Sequence, residues 1–304
     1  MIVGATSFTR TFLGLWKPLS SILLWSISVT AIHEFVPQAQ LWVSSLPLTV
    51  AGVALGVILT FRNNATYARY WEGRTLWGGL INDCRSMIRQ IVTFLRVSPD
   101  AADYAEREQF IRESALRIAA FAHALRHHLR GEDSQLELGT LLSGEERERL
   151  RRFTNVPTGI VMIFGEELGK ARGRGWLDTV ATTALDRTLI EFADIQGGCE
   201  RILNTPLPPV YTHIAHRIVI LFCFLLPFGL VTEMKLLTPV MVTMVAFTFL
   251  LLSQITLLLE NPFGLRANDL PLTAMSRTIE IDVRQSVGIT PVPPPVSPDH
   301  GVLL

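Results

Sequence analysis

Three histidines, His123, His127 and His128, fall together in the stretch ALRHHLRGED, and His123 and His127 stand four residues apart. On a helix that spacing offers two imidazoles on one face, as helical zinc sites do. No carboxylate or cysteine stands at ligand spacing beside them, and Arg126 and Arg130 in the same stretch repel a cation. The reading is a polar, interhelical packing role with no metal. Cys199 is followed by Glu200 but has no neighbouring histidine, so it lacks the base that would activate a thiol. Gly197-Gly198, within DIQGGCER, is too isolated to cradle a phosphate, and the patterns GxSxG, GxxxxGK[ST] and HExxH are absent from the sequence. No constellation supports catalysis, and no cofactor is expected.

A different chemistry belongs to Val53, Val57 and Phe61. Four-residue spacing puts the three on one helical face, with Gly52 and Gly56 forming a small-residue ridge beside them. Stacked apolar rings of this kind line a narrow pore without offering a passing ion any ligand. The same spacing also suits side chains that merely pack or face lipid, and Gly52 with Gly56 suits an ordinary helix contact.

The element that must carry these residues runs from Leu41 to Gln90. About twenty uncharged residues, Leu41 to Phe61, are followed without a helix breaker by a polar half holding Arg62, Arg69, Arg74, Arg85 and Arg89. At about 1.5 Å per residue the apolar half spans roughly 30 Å, one hydrocarbon core, so one helix reaches from membrane to cytosol. Around it the chain of 304 residues is 49% hydrophobic and has a formal net charge of zero, with apolar residues gathered in blocks. That patterning marks a membrane protein and gives no footprint for nucleic acid.

Four blocks are expected to cross the bilayer. Ser20 to Val36 is the shortest and carries three serines in its first half; Leu41 to Phe61 is the second; Ile218 to Val231, with Pro227 and Gly229 as kinks, is the third; Leu236 to Leu259 is the fourth. Arg10, Lys17, Arg62, Arg69 and Arg217 flank the inner ends, whereas the connection at Pro37-Gln38 has no basic residue and the other link has only Lys235. Positive charge stays inside, so both termini are expected in the cytoplasm. No cleaved leader is expected, because the start lacks the ordered charged, apolar and small-residue regions. Cys84, Cys199 and Cys223 lack CxxC spacing and are expected as reduced thiols.

Between the membrane pairs, Arg62 to Thr212 is rich in Ala, Leu, Arg and Glu and reads as a bundle of about five helices. The first continues to about Val97; the second covers about Ala102 to Leu129 and ends at Gly131; Ser143 and Glu146 have capping-box spacing and open a short charged helix. Asn155-Val156-Pro157 starts another helix, which reaches about Lys170, and a long one spans Leu177 to about Leu203 before NTPLPPVYT stops it. From Val287 the tail is proline-rich and is expected to be extended or disordered. The expected domains are 1–61, an N-terminal segment with two transmembrane helices; 62–212, a cytosolic helical domain; 213–260, two further transmembrane helices; and 261–304, a cytosolic C-terminal segment.

At FRNNATYARYWEGRTLWG the sequence resembles the bestrophin family of ion channels, in particular its bacterial branch. The likeness returns at ALRHHLRGE, at DIQGGCERILNTPLPPVYTHIAHR with LFCFLLPFGLV, and at ENPFGLRANDLPL, and so covers nearly the whole chain except the tail. The resemblance implies an all-α membrane protein: a homopentamer of subunits with four transmembrane helices and a cytosolic helical bundle, around one axial pore. Its partners would be monovalent ions, the lipid bilayer of a bacterial inner membrane and other copies of itself. The family's apolar neck falls on Val53, Val57 and Phe61. Its cytosolic constriction falls on Val180 within LDTVATTALDR, and a slip of one helical turn would give Leu177 or Ala184 instead.

Animal members of the family sense calcium through acidic residues after an asparagine-proline-phenylalanine-glycine turn. Here that turn is Asn261-Pro262-Phe263-Gly264, but Leu265, Arg266, Ala267 and Asn268 follow, and only Asp269 is acidic. Calcium prefers several oxygen ligands carrying net negative charge, so calcium gating is not expected. Animal relatives conduct chloride and bacterial relatives include cation channels, so the resemblance leaves charge selectivity open. The competing reading is a membrane-anchored helical scaffold or sensor that binds a cytosolic partner and passes no ions.

Overall fold

Long apolar and Ala/Leu-rich runs without β-branched alternation give helices almost throughout, and among the described residues the only strand-like pairing is an isolated bridge between Asp299 and Val302. The computed structural model describes residues 6–39, 41–299 and 301–303, with side chains described for 14–36, 38–39, 41–208, 214–299 and 301–303. Arg10 and Thr212 therefore lie outside the described side chains. The chain divides into two compact units, Val3–Tyr70 with Pro206–Asn261, and Trp71–Thr205 with Pro262–Leu304.

The first unit holds α1 (Thr6–Phe35), the first half of α2 (Ser45–Phe94), and, later in the chain, two further helices, Pro209–Met234 and Thr238–Leu259. The first apolar span is longer than the expected Ser20 to Val36: it covers Gly14–Phe35, 22 residues, and contains Pro18. Of its serines, Ser20 and Ser28 donate their hydroxyls to the carbonyls of Lys17 (3.0 Å) and Leu24 (2.9 Å) and so are satisfied within the helix, whereas the Ser26 hydroxyl is buried without a partner among the described residues. The NTPLPPVYT stretch ends one helix and opens the next, because Pro209 sits in a first turn where its missing N–H is not needed. Pro227 lies inside that helix without ending it, and Lys235 turns the chain with a positive φ of 46°. The core is apolar and is built from Ile22 of α1, Leu55 and Leu59 of α2, and Val219, Phe222, Cys223, Leu226, Val242, Ala246 and Leu250 from the two later helices.

The second unit takes the rest of α2, which stops at Phe94 rather than Val97, and packs it with a helical bundle. In chain order these are α3 (Tyr104–Arg130), a single turn α4 (Gln135–Leu138), α5 (Gly144–Leu150), α6 (Val156–Gly173) and α7 (Thr179–Asn204). The membrane pair described above is α8 (Pro209–Met234) and α9 (Thr238–Leu259), and α10 (Leu272–Ser286) returns to the second unit.

The caps follow from side-chain chemistry. Gly131 ends α3 in the left-handed region at φ 67°, where a Cβ would be strained. Ser143 and Glu146 form the expected capping box. Asn155 accepts from the Thr158 N–H at 3.2 Å, placing Pro157 one residue past the start of α6, and Asp178 caps α7 by accepting from the Ala181 N–H at 2.7 Å. Phe121 and Phe192 stack at 5.0 Å between α3 and α7.

The unexpected element is α10. It buries Leu272, Met275, Ile279 and Val283 against α3, a spacing of three and four residues that makes one helical stripe. The bundle therefore exceeds the five helices expected, and part of the C-terminal segment belongs to its core. Past Val287 the described chain has neither helix nor named strand.

Candidate functional site

Val53, Val57 and Phe61, the residues expected to form a neck, sit where the chain's own packing gives no reason to put them. Leu55 and Leu59 point α2 into the core, and residues two positions away are rotated about 200° on a helix, nearly the opposite side. Val53, Val57 and Phe61 occupy that side and are 66%, 50% and 71% exposed in the single chain. Three large apolar side chains thus form a stripe directed away from the subunit's own core.

The two glycines beside the stripe differ. A Cβ at Gly52 would come within 3.1 Å of the Phe222 ring, so that glycine is a point of close approach between α2 and α8; at Gly56 a Cβ would meet open space within this chain.

Where the stripe ends, polar groups begin. Arg62, directly after Phe61, is 6% exposed, and its Nη2 donates to the Ser253 carbonyl at 3.0 Å and the Ser253 hydroxyl at 3.3 Å. The next residue, Asn63, accepts through its side-chain oxygen from the Thr256 hydroxyl. His216 Nδ1 also reaches the Ser253 hydroxyl at 3.2 Å, so α2, α8 and α9 meet there. Thr66 closes the group by donating to the Arg62 carbonyl at 3.0 Å. Asn63, Ser253 and Thr256 are not among the residues singled out in the sequence, and Arg62 is singled out there only as a charge flanking the membrane. The available signal is that Ser253 and Thr256, three residues apart, put two hydroxyls on one face of a membrane helix that also carries Thr243, Thr248 and Gln254.

Val180 belongs to the second unit, in the first turn of α7, and is 80% exposed, whereas Leu177, one turn earlier, is 3% exposed and packs into the core. Ala184 is intermediate. Of the three register choices, Val180 presents the largest free apolar side chain.

The histidines of α3 find carboxylates that the linear spacing does not reveal. His123 is fully buried, with Nε2 3.0 Å from Glu280 of α10 and Nδ1 3.1 Å from Glu137 of α4. His127 lies 2.9 Å from Glu132 and 2.8 Å from Glu137, and Arg126 also binds Glu137. His128 faces Glu200 at 3.1 Å. Carboxylates therefore do surround the histidines, correcting the expectation that none is near, but they serve as ion-pair partners in a network shared with Arg126, Arg277 and Arg284. Burial alone would raise the Glu137 carboxyl; the charges of His123 and Arg126 and the hydrogen bonds from His127 and Arg126 hold it below its ordinary value. Glu280 is lowered likewise, with burial opposed by the His123 hydrogen bond and the charges of His123, Arg277 and Arg284. The arrangement locks α10 to α3.

Cys199 is buried, and burial first, then the charges of Glu200 and Glu72, push its thiol up to about 12, far from the thiolate a nucleophile needs. At the turn after α9, burial raises the Asp269 carboxyl despite the Arg266 N–H at 2.8 Å and the charges of Arg266 and Arg130. One carboxylate that resists ionisation, flanked by two guanidinium groups, does not fit a calcium ion.

A family model described as Bacterial/Fungal Bestrophin protein matches residues 6–285. The chain is 41% identical over 263 residues to the voltage-dependent anion channel-forming protein RSc3414 of Ralstonia nicotianae, covering 86% of this chain and 84% of that one. It is 37% identical over 277 residues to the voltage-dependent anion channel-forming protein YneE of Escherichia coli K12, covering 91% and 88%. Among solved structures, a bacterial bestrophin homologue from Klebsiella pneumoniae superposes with a TM-score of 0.83 at 33% identity, over 90% of this chain and 98% of that one.

Proposed function

The chain belongs to the bacterial and fungal bestrophin family, and from that membership we propose that it forms a homopentameric channel passing small monovalent anions passively across the bacterial inner membrane. It is a channel and not an enzyme. The observation that carries the reading is the outward stripe Val53, Val57 and Phe61, opposite the core face of α2. Around a five-fold axis the stripe becomes three stacked apolar rings. An ion there finds no oxygen or nitrogen to replace its hydration shell, and water itself is held poorly between apolar walls, so the rings form the barrier. Phe61 makes the tightest ring, and Val180 forms a second constriction in the cytosolic part.

Anion preference rests on the similar proteins of Ralstonia nicotianae and Escherichia coli, which are voltage-dependent anion channel-forming proteins. Topology follows from Lys17, Arg62, Arg69 and Arg217 at the inner ends, against Lys235 alone on the outer link, and puts both termini in the cytoplasm. Residues 1–61 are then an N-terminal segment with two transmembrane helices, 213–260 two further transmembrane helices, and 62–212 and 261–304 the cytosolic parts.

Purified protein in planar bilayers tests this directly. Across an asymmetric sodium chloride gradient the reversal potential should move toward that of chloride; a shift toward sodium overturns anion preference while leaving a channel. Native mass spectrometry in mild detergent should give a pentamer, and a pentamer that passes no current at any voltage returns the protein to the scaffold reading.

A further inference from the structure

We propose that Arg62 and Asn63 are positioning residues that hold the inner end of the neck in its non-conducting setting by pinning it to Ser253 and Thr256 of α9. The inference rests on the neck reading above. Phe61, Arg62 and Asn63 are consecutive, so the innermost apolar side chain and the two pinned side chains turn together on one helix. Adjacent helical residues are about 100° apart, and a rotation that carries Phe61 to its neighbour's bearing must swing the Arg62 guanidinium away from the Ser253 carbonyl.

Ser253 and Thr256, three residues apart, lie on one face of α9, and both are buried. The bonds they make with α2 are therefore formed away from water, where leaving either partner unmet is costly. Among the described residues, the apolar stripe itself carries no side-chain tie of this kind. The Thr49 and Thr60 hydroxyls donate to carbonyls of α2 itself, Leu55 and Leu59 make apolar contacts that can slide, and the polar ties at the far end are Ser45 to Glu233 at 3.1 Å and the Val43 N–H to the Phe228 carbonyl at 3.0 Å. Directional bonds next to Phe61 are thus what fixes the rotation of the innermost ring.

The test uses the full chain in bilayers with two variants. Thr256→Val keeps the shape of the side chain and removes only the hydroxyl that Asn63 accepts from; Arg62→Gln shortens the arm that reaches Ser253. If the bonds exist only in the non-conducting setting, losing one hydrogen bond raises the ratio of open to closed dwell times by at least about five-fold. Unitary conductance and reversal potential should stay those of the parent. A merely structural role would lower yield or melting temperature without moving the dwell-time ratio of the channels that assemble. An unchanged or lower ratio in assembled Thr256→Val overturns the proposal, and this variant carries the test alone if Arg62→Gln fails to assemble. The neck is checked in parallel by replacing Val53, Val57 and Phe61 with alanine. A triple variant with the parent's current removes the neck reading and this inference with it; a triple variant with raised current beside an unmoved Thr256→Val removes only the inference.

Discussion

Replacing Val53, Val57 and Phe61 by alanine should open the channel at almost no expense to the subunit, and the structure says why the two effects separate. All three side chains are half or more exposed in the chain, so truncating them opens no cavity in its core; each substitution should lie within about 0.5 kcal/mol of neutral, and alanine's helix propensity offsets part of that. Leu59, two residues from both Val57 and Phe61, is fully buried, and Leu59→Ala should cost about 2–5 kcal/mol. On permeation the order reverses. Each 1.4 kcal/mol removed from the barrier multiplies passage about ten-fold, and desolvating polar or charged groups costs several times that, so even partial relief at three rings should raise current at least about ten-fold. The assay pairs single-channel recording with thermal unfolding of the assembled protein for the triple variant and for Leu59→Ala. The expected pattern is high current with near-parental melting for the first, and parental conductance with lowered melting for the second. A triple variant that assembles yet conducts no more than the parent refutes the reasoning and moves the barrier to the Val180 region.

Gly52→Ala makes the Phe222 ring give way by a few tenths of an ångström to a Cβ that would stand 3.1 Å from it, so it should shift the melting temperature, whereas Gly56→Ala, whose Cβ meets open space within the chain, should not destabilise the isolated subunit; melting curves in detergent compare them. The lowered carboxyls of Glu137 and Glu280 contribute stability that is present above the ordinary glutamate value of about 4.3 and is lost as pH falls through their folded values. Melting temperature should therefore drop as pH goes from about 5 to about 3, and Glu280→Gln should melt lower at neutral pH but with a shallower acid slope; parallel acid slopes would remove Glu280 from that role. Micromolar calcium should leave the melting temperature unchanged, because Asp269 stands alone between guanidinium groups, and a rise of several degrees on adding calcium would contradict this.

How far the sequence reaches is set by the range of the interactions involved. The four apolar spans and the caps at Ser143 and Asn155 were legible because each depends on neighbours within a few residues. Helix ends were read less well. Gly14 to Leu19 continue the first span past Lys17 and Pro18, a pair that looks like a boundary but sits in the helix. The α10 stripe Leu272, Met275, Ile279, Val283 is equally periodic, yet it is short, sits between the fourth span and the proline-rich tail, and packs on α3, whose sequence lies far upstream. What could not be read locally were the long-range polar ties: Arg62 meets a backbone carbonyl 191 residues away, and His123 meets Glu280 157 residues away. Val180 and Leu177 are both apolar and one turn apart, so only packing tells the exposed one from the buried one.

The second unit is discontinuous, assembled from Trp71–Thr205 and Pro262–Leu304 with two membrane helices in between, and this imposes an order on the protein's birth. When the ribosome has finished α7, the side of α3 that α10 covers is still bare: His123, Arg126 and Arg130 are made, but their partners Glu280, Ser276 and Thr273 are not. Only after α8 and α9 have been synthesised and handed to the membrane does α10 emerge to cover it. The bundle thus cannot close before α8 and α9 are made, and a chain truncated or stalled within α9 leaves one side of α3 uncovered, with the Nε2 of His123 lacking its carboxylate, a mark that chaperones and proteases can read.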